Sequence, residues 1–190
     1  MTYFIQLLLL FPLLIACSDE QSVPVRIHYD ETEPSPSSEQ TIKLSGELRG
    51  RTYKIRMAHY KDGAVSYKIL NEQAYVIRDT VFSIHIVAEP LHADEVSFTV
   101  ECEKQIEEKV KVEDVLHSIL LETYPAGAYT SNDTIPLVGY TSGALYEVMV
   151  DGEIKQAGSY CDVRNAKLSP KEWHSAFNMK EYIWFDLIFE

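Results

Sequence analysis

Apolar and polar residues alternate with a period of two along most of the chain after Thr41. Tyr53, Ile55 and Met57 alternate with Thr52, Lys54 and Arg56, and Phe82, Ile84 and Ile86 with Ser83 and His85. Val96, Phe98 and Val100 alternate with Glu95, Ser97, Thr99 and Glu101, while Ile106, Val110 and Val112 oppose Glu107, Lys109 and Lys111. Successive side chains of a strand point to opposite faces, so this pattern predicts strands with one face buried and one wet. Antiparallel sheets tolerate a wet face; parallel sheets seldom do. Strands are predicted at 42–48, 52–60, 64–70, 74–78, 80–88, 95–101 and 106–112. Lys61-Asp62-Gly63 and Asp151-Gly152 punctuate the pattern. Asp-Gly favours the type I′ turn, whose twist matches that of paired strands.

The number and spacing of these strands resemble an immunoglobulin-like sandwich, so the fold class expected is all-β and antiparallel. Two segments break the alternation. Glu113–Leu121 has Leu116, Ile119 and Leu120 at helical spacing, and reads as a short helix or as a further strand. Ser169-Pro170-Lys171-Glu172 is a capping box with proline in the first helical position, flanked by Leu168 and Trp173 as a hydrophobic staple. It predicts one short helix over 170–178. Ile183, Phe185, Leu187 and Phe189 then line one face of a closing core strand. Residues 41–190 are expected to form one sandwich, with 41–122 plus a smaller 123–190 unit as the alternative.

The start of the chain is different. Leu7–Ala16 is a short apolar stretch within an uncharged run from Thr2, and Tyr3–Ala16 would span only about 21 Å as a helix, against a bilayer core of about 30 Å. It reads as a signal segment rather than a membrane span. It ends in Leu14-Ile15-Ala16-Cys17, which resembles the lipobox of bacterial lipoproteins. That resemblance implies removal of residues 1–16 and acylation of Cys17, with several acyl chains giving durable anchoring. No lysine or arginine precedes the apolar stretch, a departure from the usual signal pattern. Ser18-Asp19-Glu20 resembles the surface-export signal of Bacteroidota lipoproteins. Asp79-Thr80-Val81 and Asp133-Thr134-Ile135 resemble O-glycosylation sites of the same phylum, which would modify Thr80 and Thr134. The resemblance as a whole is to small surface lipoproteins of that phylum, at the cell outer membrane. Residues 17–40 carry Pro24, Pro34, Pro36 and many acids, a composition that predicts a flexible tether; Val23, Val25 and Ile27 alternate and allow a short edge strand.

Charge and chemistry narrow the function. The chain has 29 Asp and Glu against 17 Lys and Arg, a net charge of −12. That argues against a nucleic-acid partner, whose phosphates need neutralising cations, and disfavours general attraction to anionic lipid. The membrane partner expected is reached through the lipid anchor. With Cys17 acylated, Cys102 and Cys161 remain, either as two buried thiols or as a disulfide worth about 4 kcal/mol. The sequence has no Gly-rich phosphate loop, no G-x-S-x-G elbow and no H-E-x-x-H motif. His92 with Asp94, and Asp114 with His117, are pairs too small to make a metal or catalytic site. No enzyme activity, cofactor or metal is expected. Tyr124 and Tyr129 lie in a loop of small and polar residues, where tyrosine rings suit glycan or protein contact. Tyr140, Tyr146, Tyr160 and Trp173 are expected mostly to pack in the core. The function expected is a membrane-anchored, non-enzymatic binding lipoprotein for glycan, peptide or protein partners. The alternative is a structural or assembly subunit of fimbrial or adhesin type, with Arg49 and Arg51 as processing points.

Overall fold

The alternation is realised as antiparallel strands. A computed structural model describes residues 24–29, 37–113, 120–123, 128–129, 134–141, 144–159 and 168–190. Its strands are β1 (Val25–Tyr29), β2 (Glu39–Ser45), β3 (Thr52–Lys61), β4 (Ala64–Ile69), β5 (Tyr75–Val76), β6 (Val81–His92) and β7 (Glu95–Glu101). They continue as β8 (Gln105–Lys111), β9 (Leu120–Thr123), β10 (Ala128–Tyr129), β11 (Thr134–Thr141), β12 (Ala144–Val150), β13 (Glu153–Ser159) and β14 (Glu181–Phe189). A 3₁₀ turn, Pro170–Glu172, leads into the short helix α1 (Trp173–Phe177).

One sheet has the order β10-β1-β2-β6-β7-β8 and the other β4-β3-β14-β11-β9, with β5 paired to β3. β12 and β13 form a separate two-stranded ribbon. The sheets face each other across one core. Phe98 of β7 meets Tyr140 of β11 and Phe185 of β14 edge-on, each at 5.1 Å between ring centroids. Ile42, Leu44, Ile55, Ile84, Val100, Ile135 and Leu187 are completely buried in the same cluster. The chain is therefore an all-β antiparallel sandwich, as the alternation implies. The connections β2 to β3 and β5 to β6 cross between the sheets, and β14 lies between β3 and β11.

Local signals account for the joints. Asp62 and Asp151 have positive φ (48° and 54°), followed by Gly63 and Gly152 (88° and 82°). These are the two-residue turns expected of Asp-Gly. Ser169 N–H donates to the Glu172 carboxylate at 3.0 Å, and Lys171 N–H donates to Ser169 Oγ at 3.4 Å. The capping box thus starts the predicted helix, and Asn178, at φ 54°, stops it.

The body begins earlier than the sequence pattern suggested. Within the stretch expected to be tether, Val25–Tyr29 is a strand held between β10 and β2, so it is not at an edge. Val25 and Ile27 are buried in the main core, and Tyr29 Oη donates to the Leu137 carbonyl at 2.7 Å. Three apolar residues among prolines and acids leave a weak average signal, but the strand fills a gap between two others. Glu113–Leu121 lies largely outside the described residues; its last two residues open β9 as strand.

The outer face of the second sheet is also covered. Ala58, Tyr60, Trp173, Met179, Tyr182 and Trp184 form a second buried cluster, with Leu168 and Phe177 packed on it. Tyr60 stacks on Tyr182 at 4.8 Å and 13°, and His174 on Tyr60 at 5.0 Å. Trp173 packs against Gly139 of β11. A Cβ there would come within 2.5 Å of the indole. A five-residue helix cannot hold itself together, so this packing stabilises it.

Two outcomes follow. Gly139→Ala is expected to destabilise the fold by about 1–3 kcal/mol through overpacking against Trp173, read from urea unfolding followed by tryptophan fluorescence. A fragment starting at residue 41 loses the burial of Val25 and Ile27. It should be at least about 3 kcal/mol less stable than one starting at residue 24, or show no cooperative transition.

Candidate functional site

The β5–β6 connection and the β7–β8 turn meet at one end of the sandwich and enclose a cleft of about 460 Å³. Its floor is Ile77, Phe82 and Cys102. Arg78 and Asp79 line one side, Glu103 and Lys104 the other. The volume is in the range of small-ligand sites, and the combination of apolar floor and charged rim is what such sites use to orient a ligand. Both signs of charge are present, which suits a ligand carrying both, or a short peptide segment.

The cleft is built on packed strands. Phe82 opens β6 and tilts against the Tyr53 ring at 4.6 Å, and Tyr75 meets Tyr53 edge-on at 5.8 Å. Lys104 Nζ lies 5.8 Å from the Tyr75 ring centre, which steadies one side of the rim. Cys102 is a half-buried free thiol whose Sγ donates to the Lys104 carbonyl at 3.5 Å. Burial, then the neighbouring Cys102 thiol and Glu103 carboxylate, hold the Tyr53 phenol well above its ordinary range. Tyr53 is therefore a neutral O–H behind the cleft.

The residues singled out from sequence distribute unevenly. Thr80 is exposed in the bend before β6, between Asp79 and Val81 of the cleft. Thr134 is exposed as the first residue of β11, at the same end of the sandwich, where it pairs with Ile188. Tyr129 is half-buried in β10 and packs on the main core. Tyr140 and Trp173 are core residues, as expected. Cys17, Tyr124, Cys161, Asp114, His117 and Tyr160 lie outside the described residues, and so does the side chain of Tyr146. Among the described residues, no three His, Cys, Asp or Glu side chains cluster closely enough to hold a metal ion.

Two ionic clusters were not anticipated. At the far end, His59 Nε2 lies 2.7 Å from Glu181, which also accepts the Glu113 N–H at 2.5 Å and has Lys61 at 3.8 Å. Burial raises the Glu181 carboxyl, but these partners outweigh it and hold it below its ordinary value. On the outer face of the second sheet, Asp186 is almost fully buried. Arg56 donates to its Oδ2 through Nε at 3.0 Å and Nη2 at 2.6 Å, and Trp184 Nε1 donates to the same oxygen at 3.2 Å. The Arg56 guanidinium also lies over Tyr67 at 4.7 Å. Burial is the stronger influence on Asp186 and raises its carboxyl above the ordinary value despite Arg56. The sequence did carry a signal here: Asp186 is the one acid inside the apolar run Tyr182–Phe189.

No family model, curated protein or solved structure matches this chain.

Arg56→Met leaves Asp186 buried without its cation, which is expected to cost about 3 kcal/mol at pH 7. A carboxyl raised in the folded state takes up its proton there before it does in the unfolded chain. The penalty should therefore shrink as pH falls through that raised value. Denaturant unfolding of the variant and the parent at pH 7, 5 and 4 measures it, and a penalty that does not change with pH would contradict this account.

Proposed function

We propose that the protein is a lipid-anchored, non-enzymatic binding protein of the bacterial cell envelope. Cys17 carries the anchor at the outer membrane, with the sandwich exposed at the cell surface. The body offers a glycan, peptide or protein partner the cleft between Arg78, Asp79, Glu103 and Lys104. The observation carrying this reading is where the folded body begins relative to the anchor proposed at Cys17. The first strand starts at Val25, eight residues after Cys17, and is built into the interior of a sheet. A chain attached in that way holds a rigid, preformed cleft close to a surface. Thr80, exposed beside that cleft, and Thr134, exposed at the same end of the sandwich, are the positions proposed for O-linked glycan.

The alternative, a fimbrial or adhesin-type assembly subunit, requires a cut near Arg49 or Arg51. Such a cut would separate β1 and β2 from the rest, with Val25, Ile27, Ile42 and Leu44 completely or almost completely buried on them. That loss would have to be replaced by another strand. Intact mass of the protein taken from cells separates the two readings: retained acyl mass at Cys17 with no cut near Arg49 excludes the assembly route.

The binding reading is tested with a soluble fragment of residues 24–190 on a glycan array and in pull-downs from envelope extracts. A retained ligand should be lost in the double variant Arg78→Glu, Lys104→Glu, with the unfolding midpoint unchanged. Blank results in both assays, or binding indifferent to the double variant, would contradict a role for the cleft.

A further inference from the structure

We infer that the Pro24 end of the sandwich is the end turned toward the membrane, so that the cleft there opens at the edge of the headgroup layer and takes its partner beside it, with the opposite end turned outward. This inference depends on the anchor proposed at Cys17. Its first support is covalent reach. Pro24 is tied into the body, with its carbonyl against Gly46, where an added Cβ would lie 2.6 Å from the Pro24 oxygen. Gly46 also has a φ of 125°, so both the turn and the close approach require glycine there. Seven residue steps separate Cys17 from Pro24. Even fully extended they span at most about 25 Å. β3 alone, ten residues long, carries the opposite turn at Asp62–Gly63 about 33 Å further away. The anchor can hold the Pro24 end near the headgroups, and cannot reach the other end without the body turning over.

The second support is the distribution of charge. Arg26, Arg49 and Arg78 are exposed at the Pro24 end and Arg51 is half-buried there: four of the six arginines in the chain. Lys104 joins them at the cleft rim. Glu47, Glu72, Asp79, Glu101 and Glu103 bring this end to about neutrality, and Glu190 is held by Lys54. The opposite end carries Glu39, Asp62, Asp94, Glu95, Glu113 and Glu181 against Lys61, Lys111 and Lys180. In a chain of net charge −12, the body thus has a polarity that the total conceals. Next to a phosphate layer, the near-neutral arginine-bearing end meets no net repulsion, while the acidic end is repelled. Guanidinium groups also match phosphate geometry in pairs of hydrogen bonds. Anchor reach and charge polarity select the same orientation.

The test uses the lipidated chain purified from membranes and reconstituted into vesicles of phosphatidylcholine with phosphatidylglycerol. Acyl mass at Cys17 is established first. Fluorophores are placed at Glu47→Cys or Ala64→Cys, both exposed, with Cys102 and Cys161 changed to serine, and energy transfer is read to a headgroup acceptor. Strong transfer from position 47 and its loss at position 64 is the expected result; equal or reversed transfer overturns the inference. Arg49→Gln with Arg78→Gln should narrow the difference in these vesicles and leave it unchanged in phosphatidylcholine alone. As a second measure on the unsubstituted protein, hydrogen exchange in 46–51 and 77–80 should slow in vesicles relative to detergent, with no change in 62–64. Missing acyl mass would refute the anchor itself. Acyl mass present with equal transfer would refute only the orientation.

Discussion

Both faces of β14 are out of water, and the rest of the structure is arranged around that fact. Ile183, Phe185 and Leu187 point into the main core, while Tyr182, Trp184 and Asp186 point the other way and are equally buried. A strand with two apolar faces needs cover on each side. The facing sheet supplies one cover. The other comes from the short segment running from Leu168 through α1 to Met179, whose Trp173 settles over Gly139. The helix is therefore a lid on a sheet, and its sequence devices serve to place one indole.

The same constraint explains the buried charge. Asp186 occupies an outward position in a strand whose neighbours are aromatic, so it can be kept only with a cation in place. Arg56, opposite it on β3, is the residue that register puts within reach. Its guanidinium then spreads over Tyr67 and closes the cluster toward solvent. Whether such a pair adds net stability over an apolar substitute is a separate matter from the cost of breaking it, which is large.

Much of this fold was legible because it is encoded locally. The alternation through Thr52–Tyr60 and Glu95–Lys111, the Asp-Gly turns and the Ser169–Glu172 cap each depend on a few consecutive residues, and each appears where expected. What escaped was encoded at long range. Val25 and Ile27 become core only because β2 and β10 lie on either side of them, and no window of sequence shows that pairing. The cleft likewise joins 77–83 to 102–104, two stretches that read separately as a turn and a strand end. Tyr129, read as a contact residue from its company in sequence, is half-buried in β10 and packs against the main core, a position that its sequence neighbours do not reveal. Arginine clustering at one end was invisible in the total charge, since Arg26, Arg49, Arg51 and Arg78 come from three different parts of the chain.

The position of β1 has a mechanical consequence. Force applied to the chain ahead of Pro24 would run along the axis of β1. Four residues of β1 are in register with β2, and two with β10. Under such a load these rungs would have to slide together rather than peel one at a time. Two flanking ladders strained in parallel resist tugging far better than a hairpin unzipped from its open end. A body tethered through this strand would stay folded under drag that a strand hung from a sheet edge would not survive.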